Sequence, residues 1–164
     1  MRRIAILVNP ENTLITAILQ ALEVAATSLA LEVQQIAVRA PNEVESVFSS
    51  SVAGNTEGVV LVDDGMLIAN AGVLGPIITK LRLPSIGFTE FAQGGGLMGY
   101  GVNFPRMFRQ AALLVDKVLK GVRPADLPIE QAVRFDLIFN LTAAKALGLT
   151  FPPAFLARAD EVIE

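Results

Sequence analysis

Residues 84–103 read Pro-Ser-Ile-Gly-Phe-Thr-Glu-Phe-Ala-Gln-Gly-Gly-Gly-Leu-Met-Gly-Tyr-Gly-Val-Asn, and how this stretch is read decides the fold. Two short apolar runs, Ser85–Phe88 and Leu97–Val102, flank one turn of possible helix, Thr89–Gln93, and then Gly94-Gly95-Gly96. Such a segment carries two neighbouring strand ends with a side-chain-free loop between them. Ligands of open α/β sheets sit at the carboxyl ends of strands. The segment is therefore expected to wall a small-molecule site and to lead into a hinge.

Upstream, strands and helices alternate. Ile4–Val8 is continuously apolar, as a strand buried on both faces requires, and Asn9-Pro10-Glu11-Asn12 ends it. A helix is expected over Thr13–Leu29, with Leu14, Ile18, Ala21, Leu22 and Ala25 facing inward at helical spacing. Leu31–Val38 alternates as a second strand. Pro41-Asn42 opens a helix with Val44, Val47, Phe48 and Val52 on one side. After a turn at Gly54-Asn55, Gly58–Val62 forms a third strand that ends at Asp63-Asp64-Gly65. Met66–Leu81 is of helix length but has almost no wet face, and Gly72, Gly75 and Pro76 weaken it. A helix apolar all round is normally buried on more than one side, which makes it a candidate subunit interface.

Downstream, Phe104–Lys120 is strongly amphipathic: Phe104, Met107, Phe108, Ala111, Leu114, Val115 and Val118 share half its circumference, and Gly121 suits its end. Val122–Ile129 is a connector, and Gln131–Asn140 alternates as a strand. Leu141–Glu164 reads as two short helices parted by Pro152-Pro153. The order predicts a doubly wound, mainly parallel sheet of five to six strands in a single α/β lobe.

Composition narrows the chemistry. The 164 residues suffice for one real core. Cysteine and histidine are absent, which removes disulfides, thiolate nucleophiles, imidazole acid–base chemistry and the usual zinc ligands. No residue pair can activate a Ser or Thr nucleophile. We therefore expect a binding protein rather than an enzyme, with no cofactor or metal. A net charge of −3 gives no footprint for nucleic acid. Hydrophobic residues make up 52% of the chain and mean hydropathy is +0.54, yet no run reaches membrane-spanning length. Met1-Arg2-Arg3 leads straight into a strand, so no signal peptide is expected here.

Candidate ligand residues lie at the strand ends. Asp63 and Asp64 can meet an ammonium group or a metal, or one of them can simply cap the next helix, which still leaves the other free. Asn9 and Asn12 can either form turns or bond a ligand carboxylate near a helix N-terminus. The glycine triplet lacks the Lys-Ser/Thr and the spacing of a phosphate loop, so conformational freedom is its expected use. Phe88 and Tyr100 can flank an apolar ligand or belong to the core. Asn140-Leu141-Thr142 matches a glycosylation sequon without other support.

Four stretches carry a family resemblance: Arg3–Pro10, Gly95–Asn103, Val118–Pro128 and Ala144–Ile163. The last contains Lys-Ala-Leu-Gly-Leu-Thr-Phe-Pro-Pro-Ala-Phe-Leu-Ala-Arg-Ala-Asp-Glu-Val-Ile and is the most specific. In these the chain resembles the type I periplasmic substrate-binding proteins of ABC transporters, in the branch related to binders of tryptophan and other aromatic amino acids. The resemblance implies a flavodoxin-like lobe that corresponds to the second, C-terminal half of such a protein, a natural or engineered fragment. It implies that Asn9, Asp64 and the loop Gly87, Phe88 and Thr89 face the ligand cleft, with Asp64 holding the ammonium group of an amino acid; Asn12 and Gly65, beside them in sequence, complete the expected ligand-binding set. The implied partners are that small molecule, the missing N-terminal lobe and a membrane permease, with the full protein periplasmic or at the cell surface. Gly65, Gly99 and Met66–Leu81, whose one charged residue is Lys80, depart from the family's pattern. Phe104–Lys120, which normally packs on the missing lobe, is expected to fold back on its own sheet or to pair with a second copy, because exposing its apolar stripe is unfavourable by about 25 cal/mol per Å². A homodimer through Met66–Leu81 or Phe104–Lys120 follows. The alternative is a free-standing flavodoxin-like homodimer, engineered or truncated, that binds nothing. A third reading, the effector lobe of a transcription regulator, lacks any DNA-binding segment.

Overall fold

The computed structural model describes residues 2–49, 55–130 and 134–164. Its strands are β1 (Arg3–Val8), β2 (Glu32–Ala37), β3 (Gly58–Leu61), β4 (Ser85–Gly87), β5 (Met98–Val102), β6 (Phe135–Asn140) and β7 (Glu161–Ile163). They form one sheet in the order β2-β1-β3-β4-β5-β6-β7, parallel throughout except between β5 and β6. The mainly parallel, doubly wound α/β sheet is as expected, with one strand more. β7 lies in the tail expected to be helical. At three residues it is too short to show a period, and its pairing with β6 decides it. Val52, Gly54 and the start of the expected strand at Gln131–Val133 lie outside the described residues.

The helices are α1 (Ile15–Ser28), α2 (Glu43–Ser49), α3 (Gly65–Ala69), α4 (Ala71–Lys80), α5 (Thr89–Gln93), α6 (Phe104–Leu119), α7 (Leu141–Leu147) and α8 (Pro153–Leu156). From β1 the chain steps outward to β2, then returns across β1 to β3, β4 and β5. With right-handed crossovers, α1 takes one face of the sheet, and α2 to α5 take the other. α1 meets the core through Ile15, Ile18, Leu19 and Leu22, while Leu14 is exposed. Its inward stripe is thus turned by about one residue from expectation. The helix is apolar nearly all round, so its periodicity left the rotation open.

The expected single helix over 66–81 is two, because Asn70 ends α3 and begins α4. Leu67, Ala71, Leu74, Gly75 and Ile78 are buried within the chain. The apolarity that suggested a subunit interface is taken up by the protein's own core.

The glycine triplet is packed rather than loose. A Cβ on Gly75 would fall 2.5 Å from Gly96 N, one on Gly94 2.7 Å from the Ala71 carbonyl, and one on Gly96 2.2 Å from the Phe91 ring. At Gly75 and Gly94 two backbones therefore touch and a side chain would part them, while one at Gly96 would displace the Phe91 ring. Only Gly95, at φ +102°, needs glycine for its conformation. Close approach, not freedom, is what selects most of the triplet.

α6 is the exception to this packing. None of its residues is buried, and Phe108 is 65% exposed. The expected fold-back onto its own sheet does not occur. Its exit from β5 passes through the single residue Asn103, whose side-chain oxygen caps the helix at Arg106 N (2.9 Å) and whose amide donates to Asp136 on β6. That clamp directs the helix away from the sheet.

Candidate ligand site at the carboxyl edge

The parallel strands β1, β3 and β4 end on one edge of the sheet, and each delivers polar groups there. After β1, Asn9 and Asn12 are fixed by Asx turns: Asn9 Oδ1 accepts from Glu11 N at 3.0 Å and Asn12 Oδ1 from Leu14 N at 2.9 Å. With both oxygens committed to backbone donors, both NH2 groups must point elsewhere. They converge on Asp64, Asn12 donating to Oδ2 at 3.0 Å and Asn9 reaching Oδ2 at 3.3 Å and Oδ1 at 3.4 Å.

Asp64, after β3, is 7% exposed. Its Oδ1 accepts from Met66 N (2.9 Å) and Leu67 N (3.1 Å), capping α3. Of the two aspartates it is the cap. Its oxygens already meet backbone and amide donors, so Asp64 acts first as the knot that ties the ends of β1 and β3 together.

Asp63 is the exposed member of the pair. Its carboxyl pKa is raised, first by partial loss of water and then by the charge of Glu90. Because the side chain is more than a third exposed, solvent screens the effect. Thr89 donates its hydroxyl to Glu90 Oε2 at 3.0 Å. The edge therefore carries two neighbouring carboxylates, Asp63 and Glu90. Glu90 is not among the residues that the sequence singles out; only its position, first turn of α5 beside the end of β3, signals it.

The remaining candidates divide. Gly65 is exposed beside Asp64. Gly87 is buried, and a Cβ there would press the Phe91 ring at 3.1 Å and Leu61 at 3.2 Å. The Phe88 ring lies in the core, edge-on to Phe91 with centroids 6.2 Å apart. Only its backbone is offered to the edge. Thr89 is buried with its hydroxyl engaged. Tyr100 lies elsewhere, half-exposed and stacked on Phe135 at 5.7 Å. Asn140 is buried, donating to Ala92 O and accepting from Ala143 N, so the sequon is closed. Among the described residues no three carboxylates gather to hold a metal.

A doubly wound sheet with polar side chains tied at its carboxyl edge is an α/β lobe built to hold a ligand at that edge. Residues 1–163 match the model of the ABC transporter substrate binding protein family, and the chain belongs to that family. Among solved structures it is similar to a conserved domain protein of Vibrio cholerae (TM-score 0.83, 23% identity), covering 98% of this chain and 54% of that one. It is similar also to an ABC domain in complex with L-Trp from Streptococcus pneumonia (TM-score 0.82, 21% identity; 99% and 56% covered). A ligand-free, open substrate-binding protein with adhesive properties from Clostridium difficile superposes at TM-score 0.72 with 21% identity, over 99% of this chain and 54% of that one. An uncharacterized protein of Rickettsia prowazekii is 26% identical over 88 residues, 53% of this chain and 29% of that protein. The chain thus spans about half the length of the structures it resembles, and less of the curated relative.

Proposed function

We propose that this chain supplies one lobe of the ligand cleft of an ABC-transporter solute receptor and binds a small amino acid or a related molecule without catalysis. The convergence of Asn9, Asn12 and Asp64 at the ends of strands distant in sequence carries this reading. In parallel α/β sheets that edge is where ligands sit, and four oriented donors on one buried carboxylate hold the edge rigid. Asp63 and Glu90, close enough to raise the pKa of Asp63, give it the negative potential that an ammonium group needs. Asp64 adds its charge from behind, Gly65 leaves open space beside it, and the backbone of Gly87, Phe88 and Thr89 faces the ligand. The tryptophan complex of the pneumococcal structure supports an amino-acid ligand. The intact receptor would work with a second lobe and a membrane permease, in the periplasm or at the cell surface. Among the described residues no helix is long and apolar enough to cross a membrane.

A single lobe offers half a cleft, so binding should be weak, with a dissociation constant on the order of 1 mM, or roughly −4 kcal/mol. Titration with free L-amino acids, followed by backbone amide NMR, tests the reading. Saturable shifts at Asn9, Gly65, Gly87 and Thr89 are expected. Shifts scattered over the surface, or none at tens of millimolar ligand, would exclude it.

A further inference from the structure

The sheet carries a bare apolar strip opposite the α2–α5 layer. Register places Val60, Ile86 and Met98 in one row across β3, β4 and β5, and each is only half-buried. Their neighbours Val59, Leu61 and Gly87 point the other way and are buried. In the same row Ile6 on β1 is buried, and at the far end Phe139 is covered by Phe151 and Phe155. Between them an apolar trough of about 170 Å³ lies open, with Ile4, Pro84 and Leu97 along its wall. The row continues into the exposed Tyr100 and Phe135 stack. α1 packs over this face on the β1 side and Phe151 and Phe155, the latter in α8, cover it on the β6 side, and the strip lies between them.

Among the described residues, α6 is the long helix without a seat. α6 buries none of its residues, though Met107, Phe108, Val115 and Val118 are exposed apolar groups. The Asn103 clamp to Asp136 and to Arg106 N turns it away from its own trough. A bare trough and an unseated amphipathic helix that cannot meet within one copy are complementary between two.

We infer that the protein forms a symmetric homodimer in which α6 of each copy lies in the β3–β5 trough of the other. α6 has 16 residues, so it is about 24 Å long and presents a face about 10 Å wide. Counting both surfaces, each seat removes roughly 500 Å² from water, and the pair of seats about 1,000 Å², near the lower bound of stable interfaces before the return segment adds to it. α6 leaves from the carboxyl end of β5, the edge that holds Asn9, Asp64 and Glu90. The exchange therefore sets the two site edges against each other, and this last step alone rests on the proposed function.

The chain has no cysteine, which makes a disulfide test clean. A111C and M98C, purified separately and mixed under mild oxidation, should give a mixed disulfide dimer that neither gives alone. Light scattering should report a dimer at micromolar concentration for the wild type and a monomer for F108E/L114E with unchanged circular dichroism. A monomeric wild type would overturn the inference, as would an A111C/M98C double variant that closes its disulfide within one chain. A dimer that binds no amino acid leaves this inference standing and removes the ligand reading; a monomer that binds one does the reverse.

Discussion

Asn12 donates its side-chain amide to Asp64 Oδ2 at 3.0 Å across 52 residues of sequence, joining the loop after β1 to the cap of α3. The same carboxylate accepts two backbone N–H groups of that helix. Structural and ligand roles can be separated by substitution. Asp64→Ala removes the cap and should destabilise the chain by about 1–2 kcal/mol, or roughly 2–4 °C in Tm per kcal/mol at this size. Asp64→Asn keeps one accepting oxygen and should lose less than half of that. If the charge of Asp64 helps hold an ammonium group, both variants should weaken amino-acid binding alike. Equal stability losses in the two, measured by thermal unfolding, would contradict the capping role.

Asp63 has the opposite relation to stability. Its folded-state pKa lies above the unfolded value, so the folded chain holds the proton more tightly than the unfolded chain does. Any benefit is therefore present at low pH and is lost as pH rises from the unfolded value towards the folded one. At neutral pH the ionised form is a small burden. Asp63→Asn should stabilise the protein at pH 7 by no more than about 0.5 kcal/mol, the range of surface substitutions, and should lose its advantage near pH 3. Glu90→Gln should give part of the same gain. Urea unfolding at both pH values checks this, and an Asp63→Asn variant less stable at pH 7 would refute it.

Gly75 and Gly72 lie one turn apart on α4 and should respond with opposite signs. A Cβ on Gly75 meets backbone of the 94–96 loop at 2.5 to 2.8 Å, whereas one on Gly72 meets nothing within 4 Å. Gly75→Ala must push two backbones apart and should destabilise by about 1–3 kcal/mol. Gly72→Ala adds only helix propensity and should stabilise by up to about 1 kcal/mol. Equal effects in chemical denaturation would show that the contact is not tight.

Asn140 is the buried polar link between β6 and α5. It donates to Ala92 O at 3.0 Å and accepts from Ala143 N at 2.9 Å as the cap of α7. Asn140→Ala leaves a buried carbonyl and a helix N–H unpaired and should destabilise by about 2–3 kcal/mol. Asn140→Asp can still cap but cannot donate when ionised, so its loss should shrink at acidic pH. Melting curves for both variants across pH test this, and an Asn140→Ala variant as stable as wild type would refute the link.

The sequence by itself determined the winding. Continuous apolar runs at Ile4–Val8 and Gly58–Val62, separated by helical periods and short turns, admit a parallel sheet and little else, because only a strand covered on both faces needs no polar alternation. The missing histidine and cysteine likewise removed whole classes of chemistry, and the pattern at residues 144–163 pointed to the family. Tertiary structure alone decided which aspartate caps α3 and which stays free, since adjacent residues of one type differ only in where the backbone aims them. It turned α1 by a residue, drew the apolar 66–81 stretch into the core, and put Glu90 beside Asp63. It also changed the meaning of residues 84–103. Glycine permits both flexibility and contact, and the side chains and backbone brought opposite Gly94 and Gly96 make contact the use here. Whether an amphipathic helix finds its own sheet depends on the direction of the chain at its first residue. For α6, Asn103 sets that direction.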